Sequence, residues 1–231
     1  RQLSRAGHLW SDCRRWNWRE PAPALRPPRV GAVIEHMVAN AKALGEGSAA
    51  LIEARAVLPA GPLDAGLWAV VAGVSPEVLA AASERLVRQG VLRGGDFAHG
   101  LVRDVARAAL SAPRLRELAL RALAALRHDP VAAAPFVDAA GLTGADALEL
   151  LMAAVAAAPN KVAAARLRAA ASSHAVGAER ARLAFEAGLV LVNVDFDAAL
   201  ALLGTAAAEP TADVEMVTSY AHALAGAGQL D

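Results

Sequence analysis

Alanine accounts for 61 of the 231 residues, and no other feature narrows the possible folds as far. Alanine is the strongest helix former. The residues that favour a pleated sheet are too few here for a large one. The chain is therefore expected to be mainly α, with helices that pack closely because so many side chains are short. Its length suits one large or two small domains and can bury a sizeable core. Lys and Arg together number 23 and so do Asp and Glu, which argues against a chain that mainly coats nucleic acid or anionic membrane. Cys13 is the single cysteine, so neither an internal disulfide nor a cysteine zinc site is expected.

Residues 1–30 differ from the rest. They hold seven arginines (1, 5, 14, 15, 19, 26 and 29) against Asp12 and Glu20, together with Trp10, Trp16 and Trp18. Leu9–Trp18 reads as two short strands around a turn, and Pro21, Pro23, Pro27 and Pro28 impose an extended run after it. Arginine interleaved with tryptophan could stack on single-stranded nucleic acid. The plainer reading is a hairpin packed on a neighbouring domain. The chain opens on Arg1 and stops at Gly228–Asp231, so it is expected to be a piece of a longer polypeptide.

Residues 31–110 read as a winged-helix domain. Val30, Val33, Ile34, Met37, Val38 and Ala41 share one helical face. Ser48 stands where an N-cap is expected, and Leu51, Ile52, Arg55 and Leu58 continue the pattern to Pro59. Leu63, Leu67, Val70 and Val71 mark a short helix ending at Gly73. Ser75-Pro76-Glu77 then opens a helix that runs to Gly90. Val91–Arg93, Gly94-Gly95 and Asp96–His99 read as a tight hairpin, followed by a helix over Leu101–Leu110. In such a fold the helix after Ser75 would enter a DNA groove. Glu77, Glu84, Arg85 and Arg88 cancel one another there, so a packing module is the better expectation than a DNA reader.

Residues 111–142 read as a helical linker, and residues 143–231 as tetratricopeptide-like repeats, incomplete, with a period of 34. Small residues recur at Ala153, Ala187 and Ala221. Val162, Phe196 and Leu230 recur at the opening of each second helix, and Lys161, Asp195 and Gln229 are its polar starts. Two antiparallel helices cross tightly only where one presents Ala or Gly, and neighbouring pairs then bury the remaining apolar stripe. Residues 174–231 also carry eight acids against Arg180 and Arg182, either a solvated face or a surface for a basic partner.

No catalytic constellation is legible. There is no phosphate loop, no H-E-x-x-H and no G-x-S-x-G, and the six histidines are scattered. No enzyme activity, metal or cofactor is expected of this segment. No run of about 18 apolar residues is present, so no membrane partner and a cytoplasmic location are expected.

Leu25–Val30, Ala49–Leu58 and above all Phe97-Ala98-His99-Gly100-Leu101-Val102-Arg103-Asp104 resemble the signal-transduction ATPases with numerous domains. The last stretch is similar to that family's F-x-H-P-L-V-R-E signature, with Gly100 where proline is usual. The family includes large ATP-binding LuxR-type and MalT-like transcription regulators. The resemblance covers residues 1–126 in order. It implies that residues 1–30 end a nucleotide-binding domain that this chain lacks. It further implies a winged helix and tetratricopeptide arm that bind a protein or small-molecule inducer and relay it to an ATPase domain in cis. DNA would be met only through a further domain, and ATP or ADP would belong to the full-length protein. His99, with Arg103 one turn on, is then the candidate nucleotide-sensing pair. A stand-alone tetratricopeptide scaffold and, behind it, a winged-helix DNA binder are the alternative functions.

Overall fold

The computed structural model describes residues 9–11, 16–18, 30–61 and 63–227. The protein is mainly α, with twelve α-helices among those residues. Two short strands, β1 (Leu9–Ser11) and β2 (Trp16–Trp18), pair antiparallel with Leu9 opposite Trp18, as the sequence pattern predicts. Pro21–Pro28, Cys13 and Leu230 lie outside the described residues.

Five helices accompany a second hairpin, whose strands are two residues each. The helices are α1 (Val30–Lys42), α2 (Ser48–Val57), α3 (Ala65–Ala72), α4 (Pro76–Arg88) and α5 (Gly100–Ala108). Between α4 and α5 run β3 (Leu92–Arg93) and β4 (Asp96–Phe97). The hairpin turn is Gly94-Gly95, both with positive φ, a backbone that side-chain-bearing residues adopt only with strain. Side-chain oxygens cap seven of the twelve helices, among them Asp64 on α3 and Ser75 on α4. Each satisfies one of the orphan N–H groups of a first turn.

Ser48 is not a cap. It is the first residue of α2, and Gly47 precedes it at φ 77°. A Cβ on Gly47 would lie 2.5 Å from Cγ1 of Val78, so the approach of α4 selects glycine at the junction. The Ser48 hydroxyl is left buried, with no hydrogen-bond partner among the described residues. The two expected helical faces do meet the core, through Ile34, Met37, Val38 and Ala41 on α1 and Leu67 and Val71 on α3, but Val33 and Val70 fall outside them and are exposed. In α3 the inward place belongs to Trp68, whose indole N–H donates to the carbonyl of Leu51 at 3.1 Å. A buried Trp keeps its apolar body inside only if the N–H finds an acceptor, and α2 supplies it.

Leu51 and Ile52 on α2 form the centre of one buried cluster with Val71, Leu86, Leu92 and Val102. The expected linker does not stand apart from it. Helix α6 (Ala112–Ala125) buries Leu118, Ala119 and Ala122 in the same cluster, one stripe of one face, and Phe136 joins them from beyond the short α7 (Pro130–Ala133). Burying each such Leu contributes roughly 2 kcal/mol.

From residue 144 the chain continues as α8 (Gly144–Ala156), α9 (Lys161–Ser172), α10 (Gly177–Leu191), α11 (Phe196–Ala208) and α12 (Val214–Gly226). Each packs chiefly on its chain neighbour. The 34-residue spacing is visible in burial: Ala147 and Ala181, Ala154 and Gly188, Ala165 and Ala199, and Ser172 and Ala206 are all buried. The elements themselves are not evenly spaced, because α10 is longer than α8 and the Glu209–Asp213 connection is longer than its counterpart. Consequently Lys161 opens α9, whereas Asp195 caps α11 from outside.

The repeat-packing positions are placed as follows. Ala187 is buried, Ala221 half-buried and Ala153 exposed. The tight α10–α11 crossing is made one residue later, where a Cβ on Gly188 would meet Leu203 Cγ at 2.9 Å and the Ala199 carbonyl at 3.3 Å. Val162 packs on the cluster of Ala165, Leu191 and Ala199. Its counterpart Phe196 is 36% exposed.

Candidate functional site at the hairpin junction

Arg55 is fully buried in the third turn of α2, in a stripe otherwise made of Leu51, Ile52 and Leu58. A guanidinium can occupy such a place only if its donors are met. The chain after α2 provides for this. Leu58 is extended, Pro59 ends the helix, and Gly61 at φ 100° turns the backbone back. Nη1 donates to the carbonyls of Leu58 (3.4 Å) and Pro59 (2.5 Å), and Nη2 to that of Gly61 (2.8 Å). Nε donates across to the hairpin, to the carbonyl of Gly95 at 2.9 Å. Asp96 stands 3.0 Å from Nη2.

Asp96 is the shared anion. Its Oδ2 accepts from the Gly61 N–H (2.7 Å) and its Oδ1 from its neighbour Phe97 N–H (2.6 Å). Oδ1 also accepts from Arg103 of α5. Burial acts to raise the Asp96 carboxyl, but the two N–H donors and the Arg55 and Arg103 guanidinium groups outweigh it and hold the carboxyl below the usual aspartate range. Burial also lowers Arg55, with Arg103 adding to the fall and Asp96 opposing it. The second cation is offset by carbonyl dipoles. Arg103 Nη1 donates to the carbonyls of Leu58 and Arg55 (3.2 Å), and Arg107 to that of Ala56 (3.4 Å). These are the end carbonyls of α2, where the helix dipole favours positive charge. The Arg103 guanidinium lies 5.5 Å from the Phe97 ring centre, close enough for a cation–π contact.

Three segments therefore meet in one electrostatic joint: the end of α2, the β3–β4 turn, and α5. A second network ties α1, α2 and α6 together through Glu53, which accepts from Lys42 Nζ and Arg114 Nε, each at 2.9 Å. Burial would raise Glu53, and the two cations overcome it and lower it.

Of the two residues singled out in the sequence, Arg103 is in the joint. His99 is not: it is exposed at the N-cap of α5 and makes no capping hydrogen bond. Arg55 and Asp96 were missed as site residues. The available signal was a charged residue on an inward stripe, paired with an acid in a glycine turn. An apolar cleft of about 490 Å³ adjoins the joint at Gly95, walled by Trp68 and Leu79. On α4, Arg85 donates to the Glu46 carbonyl at 2.6 Å and Arg88 lies 3.6 Å from Glu84, so both cations are engaged within the chain.

No group of three or more His, Cys, Asp or Glu able to hold a metal occurs among the described residues. No single helix among them is long and apolar enough to cross a membrane. The joint contains no nucleophile next to a base. The Arg103 hydrogen bonds join α5 to α2 and to the hairpin, so separating α5 from α2 would break several charge-assisted hydrogen bonds. No family model, curated protein or solved structure matches the chain.

Proposed function

We propose that this chain is the regulatory arm of an ATP-dependent transcriptional regulator, a winged helix followed by tetratricopeptide-like repeats. Inducer or partner binding on the repeats is relayed through the winged helix to an ATPase domain of the same polypeptide. The observation that carries this reading is the Arg55–Asp96–Arg103 joint. It fastens the hairpin and α5 to α2 while leaving His99 exposed at the start of α5. A relay needs an element with two discrete arrangements, and in this reading the charge-assisted bonds that share Asp96 would hold one of them. The order α2, α3, α4, two-stranded hairpin and α5, with α1 ahead of it, supports the winged-helix reading. The 34-residue coincidence of buried small positions supports the repeat reading. ATP or ADP would be held by the ATPase domain, with His99 and Arg103 as the nearest contributions from this chain.

The test uses the full-length protein. Wild type and His99→Ala are compared for nucleotide retained through gel filtration and for activity without inducer. We expect His99→Ala to lose retained nucleotide and to raise inducer-free activity. Equal retention together with equal basal activity would overturn the relay and leave a protein-interaction scaffold.

A further inference from the structure

We infer that the cleft between α6, α7 and α8 binds a small zwitterion with an apolar body, an amino acid with an aliphatic or aromatic side chain. The cleft has a volume of about 410 Å³, within the roughly 300–1,000 Å³ of small-molecule sites. One wall is the end of α6 and the turn after it, with Leu123, Leu126 and Arg127, continued by α7. The other is one face of α8, where Asp146, Glu149, Leu150 and Ala153 follow helical spacing. In the next unit the same face is closed. The 34-residue counterparts of Glu149, Leu150 and Ala153 are Leu183, Ala184 and Ala187 of α10, all fully buried. In α8 a carboxylate stands where the array packs a leucine, and Glu149 and Ala153 are exposed. Leu123 and Leu126 pack against the first buried cluster and Leu150 against the second, so the cleft lies on the seam between the two cores.

Arg127, Asp146 and Glu149 line this cleft, and none of them is in an ion pair among the described residues. Arg127 donates through Nε to His128 at 2.9 Å, which leaves its two terminal nitrogens to meet a carboxylate. Asp146 stands in the first turn of α8, where the helix dipole favours an acid. Glu149, a turn further on, has no such reason to be there. The two walls thus carry opposite signs, and both carry leucines. A ligand that fills such a cleft brings an ammonium to the α8 wall, a carboxylate to Arg127 and an apolar body to the leucines. Amino acids with apolar side chains combine all three. The larger cleft beside Trp68 has no charged residue in its lining and offers a ligand nothing to orient it. Binding at the seam does not depend on the nucleotide-linked reading above. Within that reading, a ligand there would bear on the first core and on the helical array at once.

Nuclear magnetic resonance titration of the isotope-labelled full chain with L-phenylalanine and L-leucine tests it. Saturable shifts are expected in α6 and α8, with a dissociation constant of about 1 mM or below. Phenethylamine lacks the carboxylate and hydrocinnamate lacks the ammonium, and each is expected to bind at least about tenfold more weakly than phenylalanine. Variants cross these ligands. Asp146→Asn/Glu149→Gln should erase the advantage of phenylalanine over hydrocinnamate while keeping its advantage over phenethylamine. Arg127→Gln should do the reverse. A merely damaged fold would weaken all three ligands alike. Glu149→Leu gives α8 the residue of the next unit, and should close the cleft and abolish binding with helical circular dichroism unchanged. No response to either amino acid at about 10 mM overturns the inference. So does equal affinity for the singly charged ligands, a uniform loss in the crossed variants, or binding that survives Glu149→Leu.

Discussion

Asp96→Asn removes the charge at the centre of the hairpin junction with almost no change of shape. The wild-type carboxylate accepts from Gly61 and Phe97 N–H and from two guanidinium groups. Asparagine has one oxygen to offer in place of two, and its amide N–H₂ would face either a guanidinium or the Gly61 N–H. Hydrogen bonds to charged groups contribute roughly 1.5–3 kcal/mol each, and removing one member of a buried pair costs about 3–5 kcal/mol. The Asp96 side chain is 23% exposed, so water replaces part of the loss. We therefore expect about 2–3 kcal/mol at pH 7, or a fall in Tm of about 4–12 °C for a chain of this size. The pH dependence gives the sharper test. A carboxyl held low in the folded state contributes stability that is complete above its unfolded value and is lost as pH falls through its folded value. The unfolded value is about 4. In urea unfolding followed by circular dichroism, the gap between wild type and Asp96→Asn should be constant from pH 7 to about pH 5. It should narrow below about pH 4 as the wild type protonates too. A variant within about 0.5 kcal/mol of wild type at pH 7, or a gap that does not close in acid, would refute the reasoning.

Gly47→Ala forces a Cβ to within 2.5 Å of Val78 at φ 77°, and should cost about 1–3 kcal/mol in the same urea assay. Gly188→Ala gains helix propensity but presses on Leu203 and on the Ala199 carbonyl. We expect a net loss of about 1–2 kcal/mol, seen by hydrogen exchange as faster opening of α10 and α11 while α2 to α5 are unchanged.

What could be read from the sequence was what local chemistry dictates. Ser75-Pro76-Glu77 stops one segment and starts the next wherever it occurs, and Gly94-Gly95 makes a tight reversal with no help from elsewhere. Helices and hairpin were therefore legible to within a residue or two. What could not be read was set by distant neighbours. Ser48 looks like a cap until Val78 of α4 claims the space over Gly47. Val70 looks inward until Trp68 finds its acceptor on α2. Residues 111–125 look like a linker because their leucines are interleaved with arginines, yet three neighbouring positions suffice to place α6 in the first core.

The candidate site shows the same division at finer scale. Arg103 was visible because it stands in a short run resembling a known signature, but the run gives no account of where its guanidinium goes. That account needs Arg55, which periodicity alone counts among the core aliphatics. Fully buried and with each N–H directed at an oxygen, Arg55 ties the conformation of the Leu58–Gly61 turn to that of the Gly94-Gly95 turn. Asp96 and Arg103 then carry the constraint into α5. A shift of α5 that freed Arg103 would leave Asp96 with a single guanidinium and uncover the end carbonyls of α2. The contacts of Arg55 with the two turns do not involve Arg103 and would remain. In the relay proposed above, the Arg103 contacts are the ones that a movement of α5 would break, and His99 stands exposed at the start of that helix.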